Sequence, residues 1–241
     1  MKIALIGYGK MGRAIEELAQ TRHEVVVRLN SENSISISDD ELASADVAIE
    51  FSTPNTAFNN IMKCLKANLP VVSGTTGWLD GLPEIEEMVK RNGLAFLYAS
   101  NFSIGMNIFF YLNKFLAINM ARQEQYKVDI EEIHHTEKKD SPSGTAITLA
   151  NDVIETLDMK DNWVNHTTDK ANEVGIISKR VENVNGTHTI KYESDVDSIK
   201  MTHEAHSRKG FAGGALLAAE WIIGNQGIFT MEDVLDLKKA I

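Results

Sequence analysis

Residues 131–146 read Glu131-Glu132-Ile133-His134-His135-Thr136-Glu137-Lys138-Lys139-Asp140-Ser141-Pro142-Ser143-Gly144-Thr145-Ala146. Two imidazoles that titrate near neutrality and two ammonium groups offer proton transfer. Ser143, placed as an N-cap before Gly144 and Thr145, offers a helix start whose free backbone N–H groups hold an anion such as a carboxylate. The preceding run, residues 127–133, alternates like a half-buried strand, and Ala146 to Leu157 has the apolar spacing of a helix. The charged segment is therefore a strand-to-helix loop, the kind of place where a rigid scaffold carries chemistry. A solvated loop with a capped helix behind it would explain a lone histidine or an isolated lysine pair. It does not explain all of these groups together.

A second constellation opens the chain. Ile3–Ile6 form a short apolar strand, Gly7-x-Gly9-x-x-Gly12 follows, and residues 10–20 read as a helix. This is the dinucleotide fingerprint in its required setting: glycines for the turn and the close approach of a pyrophosphate, and a helix N-terminus to receive it. Strands at Val25–Leu29, Val47–Phe51, Pro70–Ser73 and Ala95–Tyr98 alternate with helical stretches near 55–67 and 82–92, so the first hundred residues predict a doubly wound parallel sheet. Gly74-Thr75-Thr76-Gly77 and Ala99-Ser100-Asn101-Phe102 each end a parallel strand, where ligands of open α/β sheets gather.

A further pattern starts near Ile104: an apolar helix over roughly 104–120, the strand into His134, the helix at 144–157, and β-like runs at 174–182, 187–193 and 196–204. In the last run Ile199, Met201 and His203 share one face and Lys200 and Thr202 the other, which suits a sheet open on one side. That open face is expected to need cover. From Ala212 the chain turns helical again. A Rossmann-like sheet joined to a smaller α+β domain with an open mixed sheet suggests hydride transfer, with the second domain holding the substrate.

Composition narrows the partners. With 241 residues and 43% hydrophobic content the chain can bury a sizeable core. A net charge of −10 argues against nucleic acid or an anionic membrane, so attraction for an acidic small molecule must be local. No apolar run approaches the roughly 20 residues that span a bilayer, and Met1-Lys2 leads straight into a strand, so a cytoplasmic protein is expected. Cys64 is the only cysteine, which rules out an intramolecular disulfide and a multi-cysteine metal site. It reads as a packing residue, and no metal is expected.

The loop and the glycine turn together resemble the dihydrodipicolinate reductase family. Its Glu-x-His-His-x-x-Lys-x-Asp-x-Pro-Ser-Gly-Thr-Ala signature is met in register by Glu132, His134, His135, Lys138, Asp140, Pro142, Ser143, Gly144, Thr145 and Ala146. Gly-Tyr-Gly-Lys-Met-Gly at 7–12, Gly-Thr-Thr-Gly at 74–77, Ala-Ser-Asn-Phe-Ser-Ile-Gly at 99–105, Ser207-Arg208 with Phe211-Ala212, and the run at 233–237 extend the resemblance over essentially the whole chain.

The resemblance implies a discontinuous dinucleotide-binding domain (1–103 and 212–241) around a substrate-binding and oligomerisation domain (104–211), assembled as a homotetramer. It implies reduction of 4-hydroxy-tetrahydrodipicolinate, with loss of water and hydride delivery to ring carbon 4, in the diaminopimelate route to lysine. Matched to the motif, His134 becomes the general acid or base and Lys138 the proton donor and electrostatic partner. His135 contacts the substrate, Ser143, Gly144 and Thr145 seat a carboxylate, and Thr76 also borders the substrate. Gly7, Tyr8, Gly9, Lys10, Met11, Gly12, Asn30, Phe51, Ser52, Gly74, Thr76, Ala99 and Phe102 border the cofactor, with Phe102 either an apolar wall at the nicotinamide or plain core. Asp140 is expected to orient Lys138 or Ser143, and Arg208 to lie near the hinge of the substrate domain or in a surface ion pair.

Two departures leave choices open. Asn30 stands where an acid commonly binds the ribose 2′-hydroxyl, so a 2′-phosphate is not repelled there and Lys10 or Arg28 is within reach, while Glu32 lies close by. The cofactor is NADPH or NADH, NADPH being preferred. Glu137 either tunes Lys138 or points to solvent, and adjacent His134 and His135 face opposite ways unless the strand has ended between them. The rival readings are another two-domain nicotinamide enzyme, of the aspartate dehydrogenase type, and a nucleotide-binding redox sensor without catalysis. A sensor has no need of two histidines, a lysine and an anion seat in one loop.

Overall fold

The computed structural model describes residues 1–30, 37–207 and 209–237. It divides into two compact units, Met1–Ile104 joined by the segment from Lys209 onward, and Gly105–Arg208 between them.

The first unit is built on strands β1 (Lys2–Ile6), β2 (Glu24–Leu29), β3 (Val47–Glu50), β4 (Val71–Ser73) and β5 (Ala95–Tyr98), with helices α1 (Lys10–Ala19), α2 (Asp39–Ala43), α3 (Pro54–Lys66) and α4 (Leu82–Asn92) between them. β1, β3 and β4 are buried along almost their whole length, as expected of parallel strands covered on both faces. After the second unit the chain returns as α7 (Lys209–Ile222), a short strand β11 (Gly227–Phe229) and α8 (Met231–Val234). The numbering leaves α5, α6 and β6–β10 for that second unit. All six strands are parallel, in the order β11-β5-β4-β3-β1-β2.

One face of this sheet packs on α1 and α7 through Ile15, Ala19, Ala215, Ala219 and Ile222, and the other on α3 and α4 through Ala57, Ile61, Ile85 and Val89. Cys64 belongs to the second of these layers, and burial pushes its thiol up to about 12, so it is an inert packing group. β11 was not visible in the sequence. It is three residues long and pairs only with β5, so it has no periodicity of its own.

The second unit consists of α5 (Ile104–Met120), β6 (Lys127–His134), α6 (Gly144–Thr156), β7 (Asn162–Val164), β8 (Glu173–Arg180), β9 (Thr187–Glu193) and β10 (Ser198–Glu204). Its mixed sheet has the order β10-β9-β6-β8-β7, with β6 central, parallel to β8 and antiparallel to β9. Alternate residues of the strands, Val128, Ile130, Val174, Ile176, Ile190 and Tyr192, pack on α5 and α6 through Met106, Phe109, Leu149, Ala150 and Val153. Met201 packs on the same cluster and His203 meets the Phe109 ring, so this side of β10 faces the helices, although Ile199 at its start stays exposed.

The other face does not present the broad apolar surface that was expected to need cover. It carries Lys127, Asp129, Glu131 and Ile133 on β6, Thr187, Thr189, Lys191 and Glu193 on β9, and Lys200, Thr202 and Glu204 on β10, with Lys179 paired to Glu131. Burial alternates throughout β6, and its mainly polar phase is the one turned outward. Among the described residues no helix is long and apolar enough to cross a membrane.

Candidate active site

In the first unit the β1–α1 turn is held by steric necessity. Gly7 has φ +103°, and a Cβ there would lie 2.1 Å from the Phe51 carbonyl oxygen; a Cβ on Gly12 would lie 2.4 Å from the Gly7 carbonyl. Gly9 is the N-cap of α1 without a capping side chain, and the space its Cβ would enter is open. Among the described residues no side chain caps the start of this ten-residue helix, and an uncapped helix start beside open space is the kind of seat a pyrophosphate requires. Beside it lies a cavity of about 650 Å³ lined by Gly7, Tyr8, Gly9, Leu29, Asn30, Phe51, Ser52 and Lys63, among others. A second cavity of about 290 Å³ gathers Met11, Phe51, Ser52, Gly74, Thr75 and Thr76.

The sequence-derived residues of this unit thus fall into two groups. Gly7, Tyr8, Gly9, Asn30, Phe51 and Ser52 border the larger cavity, and Met11, Gly74 and Thr76 the smaller one. Lys10 is exposed on the first turn of α1, and Gly12 underlies the turn. Ala99 and Phe102 are buried in the core, and the Phe102 ring stands edge-on behind Phe51 at 5.5 Å. Phe102 is core rather than wall. It supports Phe51, the less buried partner of the two.

Arg28, one candidate for a 2′-phosphate, is ion-paired to Glu16, which also accepts from the Tyr8 hydroxyl. Those two hydrogen bonds hold the Glu16 carboxyl below its ordinary range. Among the described residues the cation that lines the larger cavity is Lys63, which sequence reasoning missed because it lies on α3, far along the chain; its ammonium donates to the Ile37 carbonyl at 2.6 Å. Glu32 and Arg208 fall outside the described residues.

Glu50 was also missed. It is fully buried at the end of β3 and accepts from the Ser52 N–H at 2.9 Å, the Ser73 hydroxyl at 2.7 Å and the Thr75 hydroxyl at 2.9 Å. One carboxylate thereby ties together the end of β3, which borders both cavities, and the end of β4, which borders the smaller one.

In the second unit the site begins where the apolar part of the sheet ends. Glu132 and His134 continue the inward phase of β6, and the register places His188 of β9 beside Glu132 and Arg180 of β8 beside His134. Glu132 has no solvent exposure. Its Oε1 accepts from both Arg180 terminal nitrogens, at 3.2 and 3.1 Å, and from the Ser143 backbone N–H at 3.1 Å. Its Oε2 lies 2.8 Å from His134 Nδ1, off the line of a straight hydrogen bond, so this contact is chiefly electrostatic. Burial pushes the carboxyl pKa up, but the adjacent His134 imidazole and the Ser143 N–H outweigh it and hold Glu132 well below the usual carboxylate range.

His188 packs edge-on against His134 with ring centres 5.0 Å apart, and its Nε2 meets the Ser143 hydroxyl at 3.2 Å. Burial and the neighbouring His134 hold it down at about 3, so it is neutral at physiological pH.

β6 ends at His134, and His135 opens a tight turn whose carbonyl accepts from the Lys138 N–H at 3.1 Å. The condition for both histidines to serve one loop is therefore met. The turn brings Lys138 to Asp140, Nζ to Oδ2 at 2.8 Å, while Lys139 and Glu137 are exposed. Partial burial pushes Asp140 up, and the Lys138 ammonium more than offsets this. Of the two roles open to Asp140, the geometry supplies the contact to Lys138. After the cis Ser141–Pro142 bond, Ser143 caps α6 by accepting from the Ala146 N–H at 3.2 Å, a contact worth about 1 kcal/mol. Gly144 presents open space at the start of this 13-residue helix, and Thr145 follows at half-burial.

Glu132, His134 and His188 approach closely enough to suggest a metal site. Two observations oppose that reading. Ligand atoms around a tetrahedral ion stand about 3.3 Å apart given bonds near 2.0 Å, more than the 2.8 Å between Glu132 and His134, and the Arg180 guanidinium already neutralises the carboxylate. Glu132, Arg180 and His188 carried no assigned role in the sequence. The available signal was a charged or polar residue on the inward phase of each strand.

Residues 1–102 match the family described as "Dihydrodipicolinate reductase, N-terminus" and residues 105–235 the one described as "Dihydrodipicolinate reductase, C-terminus". The chain belongs to the dihydrodipicolinate reductase family. Among relatives, it is 52% identical to a 4-hydroxy-tetrahydrodipicolinate reductase of Christiangramia forsetii, covering 98% of each chain, and 33% identical to one of Neisseria meningitidis serogroup A, again covering 98% of each. A dipicolinate-bound dihydrodipicolinate reductase from Paenisporosarcina sp. TG-14 superposes with a TM-score of 0.76 at 23% identity, covering 97% of this chain and 98% of that one, which establishes a shared fold. Dihydrodipicolinate reductase membership removes the redox-sensor and aspartate dehydrogenase alternatives as leading readings.

Proposed function

We propose that this chain reduces 4-hydroxy-tetrahydrodipicolinate to tetrahydrodipicolinate with a nicotinamide cofactor, NADPH before NADH. The observation that carries the reading is the end of β6. There a buried Glu132–His134 pair at the end of the strand, the Lys138–Asp140 pair on the loop after it and the start of α6 follow one another within residues 131–146, in a chain that belongs to this family. The substrate has two carboxylates and a ring that takes up a proton as hydride arrives, so it calls for N–H donors, cations and an acid. Ser143, Gly144 and Thr145 seat one carboxylate at the N-terminus of α6, and Lys139 adds charge at the rim. His135 and Thr76 are the further substrate contacts.

Lys138 delivers the proton, and Asp140 holds its ammonium in place until then. His134 acts as general acid or base, backed by a carboxylate that stays ionised. The nicotinamide, when bound, supplies the hydride. On the protein side the uncapped start of α1 and the open space at Gly9 receive the pyrophosphate, and Phe51, Ser52, Gly74 and Thr76 line the smaller cavity for the nicotinamide. Lys63 on the larger cavity, with no carboxylate among its described lining residues, favours a 2′-phosphate. The resemblance further supports a homotetrameric, cytoplasmic enzyme with residues 1–103 and 212–241 carrying the cofactor and 104–211 the substrate.

The test couples a synthase that generates the unstable substrate to this protein and follows oxidation of NADPH and of NADH at 340 nm. Substrate-dependent oxidation is expected. A chain that leaves both cofactors unoxidised in the presence of substrate lacks this activity.

A further inference from the structure

Resting on the reductase reading, we propose that Arg180 is a positioning residue for Lys138: its guanidinium bridges the buried Glu132 to the backbone of the loop that carries the lysine. The terminal nitrogens grip Glu132 Oε1 at 3.2 and 3.1 Å, Nη2 also donates to the Asp140 carbonyl at 2.5 Å, and Nε to the Lys138 carbonyl at 3.4 Å. Asp140 in turn holds the Lys138 ammonium through its carboxylate. The result is an unbroken chain of contacts from the centre of the sheet, through Arg180, to the proposed proton donor.

The fold explains why an arginine is needed at this place. Residues 135–143 form neither strand nor α-helix, so the carbonyls of Lys138 and Asp140 have no ladder partner, and loop backbone is held only by what reaches it. A planar guanidinium with five donors reaches two carbonyls and a carboxylate at once; the single ammonium of lysine does not. The anchor is rigid. Glu132 lies on the central strand without solvent exposure, and Arg180 ends β8 beside His134, its side chain only 21% exposed. Arg180 thus acts through Lys138 and needs no contact with the substrate.

The test compares Arg180→Ala and Arg180→Lys with the wild-type enzyme. If the loop is displaced by about an ångström, kcat should fall on the order of 10²-fold in the alanine variant. KM and the affinity for pyridine-2,6-dicarboxylate should stay within about threefold, and guanidinium chloride at millimolar concentration should restore part of the rate. In a Lys138→Ala background the Arg180→Ala change should cost less than about threefold more, because residues acting as one unit are not additive. Full kcat in Arg180→Ala, or independent losses in the double variant, overturns the proposal. So does a loss confined to KM and dicarboxylate affinity, which would make Arg180 a substrate ligand.

A readout independent of turnover is the rate of reductive methylation of Lys138, followed by peptide mass spectrometry in ligand-free protein. It should rise in Arg180→Ala and less in Arg180→Lys, and an unchanged rate refutes the positioning role. Should the wild-type protein prove inactive, the reductase reading fails while this measurement still decides the structural claim. Urea midpoints confirm that the variants are folded, and the lysine variant serves alone if the alanine variant is not.

Discussion

Replacing Glu132 by glutamine tests whether the buried carboxylate organises the second unit. Glu132 has no exposure, accepts from Arg180 and the Ser143 N–H, and lies against His134. Removing one member of a buried ion pair commonly costs 3–5 kcal/mol. Here Arg180 keeps 21% side-chain exposure and can rehydrate, and glutamine can still accept from Ser143, so the lower end applies, about 3 kcal/mol. The pH dependence has a definite sign. The folded-state pKa of Glu132 is depressed, so its stabilisation is fully present above the ordinary glutamate value near 4.3 and is lost as pH falls toward the folded value. The gap between wild type and Glu132→Gln should therefore be smaller by about 1 kcal/mol at pH 3.5 than at pH 7. Urea unfolding followed by circular dichroism at both pH values measures it. A gap below about 1 kcal/mol at pH 7, or one that widens on acidification, would refute the reasoning.

Lys138→Ala and His134→Ala should each lower kcat by about 10²–10⁴ with cofactor affinity unchanged; near-normal turnover in both would remove them from the chemistry. Pyridine-2,6-dicarboxylate should inhibit competitively against the substrate and lose affinity in Thr145→Val or when Lys138 and Lys139 are neutralised, and an unaltered inhibition constant would place the anion seat elsewhere. Lys63→Gln should reduce any preference for NADPH over NADH measured as a ratio of kcat/KM, and no change in that ratio would mean that the 2′-phosphate is read by other groups. Light scattering should return four times the 26.7 kDa chain mass. If the polar sheet face forms the contact, added salt should weaken the assembly; a particle of one chain mass at assay concentration argues against the tetramer.

Much of the fold was legible because its signals are local. The apolar strands β1, β3 and β4, the glycine turn and the helix periodicities of α1, α3 and α4 lie in short windows, and their alternation implies a parallel sheet. β7 and β11, three residues each, pair with a neighbouring strand and have no periodicity of their own, so they could not be read, whereas the five-residue α2 was missed although its Ser38–Glu41 capping box is a local signal. The same division runs through the site. His134, His135, Lys138 and the α6 start are neighbours in sequence and were found, whereas Arg180 and His188 reach Glu132 only through strand register.

Strand phase is also where the expectation about the open sheet failed. Alternation reveals that a strand has two different faces but does not state which one the helices cover. In β6 the inward phase begins with Val128 and Ile130 and ends with Glu132 and His134, so hydrophobicity averaged along the strand hides a polar terminus. The carboxylate there is tolerated in the core because Arg180 and the Ser143 N–H donate to Glu132 Oε1, and without such partners it would be too costly to bury. A polar residue on the apolar phase of a central strand therefore carries more information than its type alone: it requires partners from other strands, and locating those partners locates the site.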